Sequence, residues 1–293
     1  MAFENVGSIL RMGSPSSSLK LLLITASLTR PRYRPLCLKL LEPFTKDGEV
    51  LLRYHCYGHE LQAYVRLEET ASDLQSVFDL TIRDTYDLDL GFRPDVVVDG
   101  GANIGLFTLR TAAALASAGT SPVRFVACEP LPQNVDQLQR HLDLNGISAQ
   151  ILAGCLGGER GSIPFYCREA ICSSFDGSKP YTSVIDIPVY TLKDAIGSSP
   201  AERILVKLDI EGMEMEVLKT FIPSEKRAVY LVGELHEFAR NSSEFERMFR
   251  ESGWTMQYRS IFDDHATFRA CSPRALPLLA SMANVEASSQ VAA

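Results

Sequence analysis

Three consecutive valines, Val96-Val97-Val98, run into Asp99 and then into Gly100-Gly101-Ala102-Asn103-Ile104-Gly105, and this junction restricts the fold more than anything else in the chain. An unbroken β-branched run suits a parallel strand covered on both faces, since a strand with one wet face would alternate. Glycines directly behind it mark a tight strand-to-helix turn where backbone comes close to a ligand, and Asn103 tolerates the left-handed region. The pattern then repeats. Leu106–Ala116 predicts a helix, Arg124–Cys128 a strand, and Pro132–Leu144 a helix begun by proline and stopped at Asn145-Gly146. Gln150–Gly154, Ile204–Leu208 and Val229–Gly233 predict further buried strands. Met213–Phe221 and Ser243–Ser252 predict helices, the second opened by a Ser243…Glu246 capping box. Trp254–Arg259 and Ala266–Ala270 read as a closing hairpin. The fold class expected is α/β: a doubly wound, mostly parallel seven-stranded sheet with a C-terminal antiparallel hairpin. Ligands of such sheets bind at the carboxyl ends of the strands, where the strand order reverses.

Ahead of this core stands an N-terminal helical and hairpin extension. A breaker-rich run, Gly13–Ser18, is expected to separate a mobile start from the folded body, and a second boundary lies near Pro43–Gly48. Val50–Tyr54 and Leu61–Leu67 predict two strands, the second alternating with period two. Ser72…Gln75 is a capping-box pattern, followed by Leu74, Val77, Phe78 and Ile82 at helical spacing. Ile163–Tyr166 and Val184–Val189 read as inserted strands. The domain organisation expected is a basic extension over 1–47, a main domain over 48–275 with its hairpin and helix at 48–90, and a fraying tail over 276–293.

Charge and cysteine usage narrow the function classes. The net charge is −7, yet residues 1–46 carry seven Lys/Arg against two acids. An evenly basic nucleic-acid binder is therefore not expected, and no nucleic acid is assigned as a partner. The apolar run Leu21–Ile24 is too short to span a bilayer, but its flanking basic residues make a peripheral membrane contact through residues 19–41 an expectation. Seven scattered cysteines without a C-x-x-C pair argue for a reducing compartment, the cytoplasm, and against a zinc ribbon.

The loop chemistry points to a nucleotide-like ligand. A dinucleotide fingerprint needs glycine where this chain has Ala102. Asp99 at the strand end would repel a pyrophosphate and attract an ammonium. Glu129, ending the next strand, is placed to accept hydrogen bonds from both hydroxyls of a ribose. A ribose joined to a zwitterionic amino acid is S-adenosylmethionine, and Asp99, Gly100, Gly101, Asn103, Gly105, Glu129 and Asp209 are the residues expected to bind it.

Asp99–Gly105 with Cys128-Glu129-Pro130-Leu131-Pro132-Gln133-Asn134 resembles the cofactor motifs of S-adenosylmethionine-dependent methyltransferases of Rossmann-like fold. Val206-Lys207-Leu208-Asp209-Ile210-Glu211-Gly212-Met213-Glu214, the later Glu234-Leu235-His236, and the lead-in from Ala71-Ser72-Asp73 to Tyr86 narrow the resemblance to the FkbM-type family. It spans about Glu49 to Cys271. One departure is Gly100, where many relatives carry an aliphatic residue. The resemblance implies O-methylation of a sugar or natural-product hydroxyl, with a small-molecule or glycan acceptor.

Methyl transfer from a sulfonium is an in-line displacement, helped by a base within reach of the acceptor hydroxyl. The candidates are Asp209, Glu211, Glu234 and His236, all at strand ends. Lys207 is expected to pair with Asp209, Glu234 to orient the imidazole of His236, and Glu214 to serve mainly the helix dipole. His55, His59, His141 and His265 are read as structural. No spacing among these residues demands a metal. Two alternatives stay open at this point: an NAD-dependent oxidoreductase, and a non-catalytic binding module of the same fold.

Overall fold

In the computed structural model, residues 15–29, 31–67, 73–86, 88–89, 91–120, 122–167, 181–198, 200–279 and 282 are described. Ser72 of the expected capping box, Cys172, the first residues of the expected mobile start and nearly all of the tail beyond Leu279 lie outside the described residues.

The central element is a seven-stranded sheet. Its parallel members are β4 (Val96–Gly100), β5 (Arg124–Glu129), β6 (Ala149–Ala153), β10 (Arg203–Leu208) and β11 (Ala228–His236). The hairpin β12 (Thr255–Phe262) and β13 (His265–Cys271) adds antiparallel to β11. Across the sheet the order is β12-β13-β11-β10-β4-β5-β6. The chain runs outward from β4 through β5 to β6, then returns to lay β10 on the other side of β4. That reversal places the switch point between Gly100 and Leu208, which face one another in register.

The valine run explains why β4 is central. Val96 and Val98 bury into one layer with Ile204, Val206, Val229, Leu218 and Phe221. Val97 points the other way, into a layer with Leu205, Tyr230, Phe107 and Leu115. Each apolar side chain so buried contributes about 1.5–3 kcal/mol relative to exposure.

Two smaller sheets flank this core. One joins β1 (Thr45–Lys46), β2 (Glu49–Cys56) and β3 (His59–Arg66); the other joins β7 (Cys155–Leu156), β9 (Ser183–Tyr190) and β8 (Gly161–Cys167). The inserted strands predicted at Ile163–Tyr166 and Val184–Val189 are β8 and β9. Near the N-terminus, Pro15–Thr29 and Arg34–Leu41 form two helices. Leu21, Ile24 and Leu41 sink into the same cluster as Val50, Leu52, Ile104 and Leu138, so this stretch packs as part of the body.

Three local expectations are corrected. Pro15–Ser18, expected as a breaker, begins a helix, because proline and serine suit a first turn. The helix expected over Ser243–Ser252 starts at Phe238. Its first donors are met from a distance: Phe238 N and Ala239 N donate to the backbone oxygen and carboxylate of Asp264. The helical pattern after Ser72 holds for Asp73–Val77, then widens into a π-helical turn over Phe78–Arg83. Such wide turns recur at functional sites, and this one carries Asp79 and Leu80 into the wall of the main cleft.

Candidate active site

A cleft of about 250 Å³ opens at the switch point, walled by the β4 and β5 loops, the Asp73–Arg83 segment and the ends of β10 and β11. The glycine loop forms its floor. Gly101 N and Ala102 N both donate to Cys128 O, tying the loop to β5. Gly101 has φ +71°, and a Cβ there would lie 1.8 Å from Asp209 O, so only glycine lets the loop cross the end of β10. Gly105, at φ +86°, leaves room for Leu138, whose Cδ1 would be 2.4 Å from a Cβ.

Glu129 is buried at the cleft edge and already holds three donors. Asn103 N reaches Oε2 at 2.8 Å, while Leu131 N and Asn134 Nδ2 reach Oε1 at 3.1 Å. Asn134 is steadied in turn by Arg66, which is clamped by buried Asp73. Burial raises the Glu129 carboxyl, against the pull of these donors. A carboxylate offers about four acceptor positions, so one remains for a ligand hydroxyl.

Asp99 departs from its expected place. Its side chain is buried away from the cleft, accepting from Thr108 Oγ1 at 2.7 Å and lying 3.5 Å from Lys207 Nζ. It cannot touch a ligand's ammonium directly. Lys207 acts as the hub instead: Nζ donates to Gly101 O at 2.6 Å and lies 3.7 Å from Asp209 Oδ2. Burial opposes its charge, but Asp209 and Asp99 outweigh that and hold its pKa above the usual lysine value. One cation therefore fastens the glycine loop to two strand-end acids. Gly101, Asn103, Glu129 and Asp209 line the cleft, while Gly100 and Gly105 lie behind them, against Leu156 and Leu138.

The four residues expected to handle the acceptor, Asp209, Glu211, Glu234 and His236, all line this cleft. Asp209 stays ionised: burial raises its pKa, but Lys207, His236 and the Tyr86 hydroxyl at 2.9 Å pull it below the usual value. Glu211, at φ +56° before Gly212, turns toward His236, with Oε2 3.8 Å from Nε2. His236 takes its orienting carboxylate from Glu214, not Glu234: Nδ1 donates to Glu214 Oε1 at 3.0 Å. Glu214 is buried and also accepts from Ile210 N and Gly212 N, so its work goes well beyond the helix dipole. Burial opposes the imidazolium, yet Glu214, Asp209 and Glu211 lift its pKa to about 10. The surrounding carboxylates thus favour the charged form of His236.

Glu234 is the contrasting acid. It is half-buried, faces the cleft, and has no hydrogen-bond donor among the described residues. Burial first, then the charge of Asp209, pushes its pKa up to about 8. Asp209, Glu234 and His236 each present a ligand atom within 4.8 Å of the other two, a spacing that a divalent ion would span. A metal there would have to displace the proton that the neighbouring carboxylates favour on His236.

Sequence reasoning missed Tyr86 and Glu214 as site residues. Tyr86 lay within the family lead-in but carried no sign of its bond to Asp209, 123 positions away. His141, read as structural, is buried between Ile104 O and Tyr64 N, and His265 stacks on His236 with ring centres 6.0 Å apart.

Residues 99–259 match the methyltransferase FkbM domain. Methyltransferase 1 of Beauveria bassiana (strain ARSEF 2860) is 29% identical over 146 residues, covering 42% of this chain and 57% of that protein, so the match spans little more than half of the relative. The solved structure of methyltransferase FkbM from Methylobacillus flagellatus KT aligns over 92% of this chain and 58% of that one, at 18% identity and a TM-score of 0.42. The Pyrococcus abyssi tRNA (uracil-54, C5)-methyltransferase, solved with S-adenosyl-L-homocysteine, aligns over 75% of this chain and 44% of its own at 11% identity and a TM-score of 0.39.

Proposed function

Because the chain belongs to the FkbM methyltransferase family, we propose that it uses S-adenosylmethionine to methylate a hydroxyl of a small molecule or glycan. The observation that carries this reading is the pairing, in one cleft, of a part-filled ribose acid, Glu129, with a donor-free acid, Glu234.

The residues fit the cofactor. Glu129 keeps one acceptor position for a ribose hydroxyl, and Leu131, Cys155 and Phe165 beside it offer an apolar face for a flat base. Asp209, ionised and at the cleft, replaces Asp99 as the anion nearest an ammonium. When bound, the cofactor supplies a methyl group on a positively charged sulfur. Glu234 then takes the acceptor's hydroxyl proton as the oxygen–carbon bond forms and the sulfur–carbon bond breaks. His236 and Lys207 offset the negative charge gathered there, keeping Asp209 ionised while Glu234 changes state.

The ribose assignment is tested by Glu129→Ala. Losing charge-assisted hydrogen bonds costs about 1–3 kcal/mol, so affinity for S-adenosylhomocysteine measured by calorimetry is expected to fall roughly 5- to 150-fold. Undiminished affinity would remove Glu129 from the cofactor site.

The proton assignment is tested by pH. Glu234 accepts a proton only when ionised, and the groups facing it are Asp209, His236, Asp79 and Lys207. Below its pKa of about 8, kcat/KM is expected to rise about tenfold per pH unit. Above about 10 it falls as His236 loses its proton. A profile flat from slightly acid to slightly alkaline pH would contradict this role.

A further inference from the structure

The apolar run Leu21–Ile24 is not available to a membrane, since both of its ends are buried in the core. The neighbouring helix, Arg34–Leu41, is different. Cys37 and Leu41 pack inward. Leu36 and Leu40, four apart, share another face of this helix and are 55% and 49% exposed. Tyr33 and Phe44, in the short 3-10 turns before and after it, are 44% and 38% exposed. A helix on a protein surface needs a single apolar face; here a second apolar patch stays exposed, with the cations of Arg32 and Lys20 lying over the Tyr33 and Phe44 rings at its ends.

Its surroundings select an occupant. Arg32 and Lys39 are exposed beside the patch, and Lys20 Nζ lies 5.4 Å from the centre of the Phe44 ring. The one acid of the segment, Glu42, sits two residues from Leu40 and so projects elsewhere. Aromatic and leucine side chains bordered by cations are what an interfacial helix presents to anionic headgroups. The whole stretch 1–46 repeats the bias, with seven basic residues against two acids, while the rest of the chain is acidic. No helix among the described residues is long and apolar enough to cross a membrane.

We propose that Tyr33, Leu36, Leu40 and Phe44, with Arg32 and Lys39, form a docking face that seats the protein on an anionic lipid surface. The face is distinct from the cleft and does not depend on the methyl-transfer reading.

Cosedimentation of the full chain with vesicles of phosphatidylcholine, with and without phosphatidylglycerol, tests it. Binding is expected only with the anionic lipid, and is weakened by high salt. The double variant Leu36→Ser/Leu40→Ser is expected to lower vesicle affinity at least about tenfold. The thermal unfolding midpoint and circular dichroism spectrum, read in parallel, should be unchanged, confirming that the variant is folded. No binding to anionic vesicles at low salt overturns the proposal. So does equal binding by the folded double variant, or a dimer of the unaltered protein that this variant dissociates, which would make the patch a protein interface.

Discussion

Gly101→Ala is expected to abolish cofactor binding and to lower stability by about 2–6 kcal/mol. Two costs combine. The φ of +71° is unfavourable for a residue with a Cβ, at about 1–3 kcal/mol. The new carbon would also fall 1.8 Å from Asp209 O, a backbone atom that cannot swing aside, and overpacking of this kind adds about 1–3 kcal/mol or more. To relieve it, the β4 loop and the end of β10 must part, breaking the Lys207 bond to Gly101 O. Gly119→Ala separates the two costs. Gly119 has a similar φ of +68° but nothing within 4 Å of a Cβ, so its variant should lose only the backbone part and bind S-adenosylhomocysteine normally. Thermal unfolding and calorimetry on both proteins decide the matter. A Gly101→Ala protein that binds as well as the parent would show that the crossing of loop and strand is not what shapes the site.

Glu234→Gln is expected to reduce kcat by about 10²–10⁴-fold, the usual contribution of a positioned proton acceptor. The amide keeps the shape of the side chain and cannot take the proton. Because Glu234 accepts no hydrogen bond from the described residues, the change leaves no donor stranded, and S-adenosylhomocysteine affinity should stay within about twofold. Asp209→Asn would be a less clean probe, since Asp209 also holds Tyr86 and Lys207. The rise in rate through about pH 8 should vanish in the Glu234 variant. A loss of less than about tenfold, with that rise intact, would move proton transfer to another group.

Much of the fold was legible because its signals are local. Three valines in a row, glycines behind them and a proline-started helix each act within a few residues, and the seven-stranded sheet arises from their repetition. The places of Gly101 and Glu129 were legible for the same reason, Gly101 directly following β4 and Glu129 ending β5 in a chain that must reverse at its switch point. Where reading failed, the partner was distant. Asp99 was expected to face a ligand because it ends a strand, but Lys207 and Thr108, which draw it inward, come from another strand and from the following helix. The imidazole of His236 had a carboxylate two residues away in sequence, yet Glu214, on the helix after β10, holds it. A strand alternates its faces but does not announce what an adjacent strand will bring. The early start of the helix at Phe238 likewise depends on Asp264, at the hairpin turn. The π-helical turn at Phe78 interrupts a pattern that looks helical throughout, and its apolar spacing gave no sign of the change.

The most direct test of a methyl-donor cleft at the switch point is a calorimetric titration of the unaltered protein with S-adenosylhomocysteine. The arrangement of Gly101, Glu129 and Asp209 predicts saturable binding at a single site, weakened by Glu129→Ala and lost in Gly101→Ala. An absence of heat and of any thermal stabilisation at millimolar ligand would contradict it.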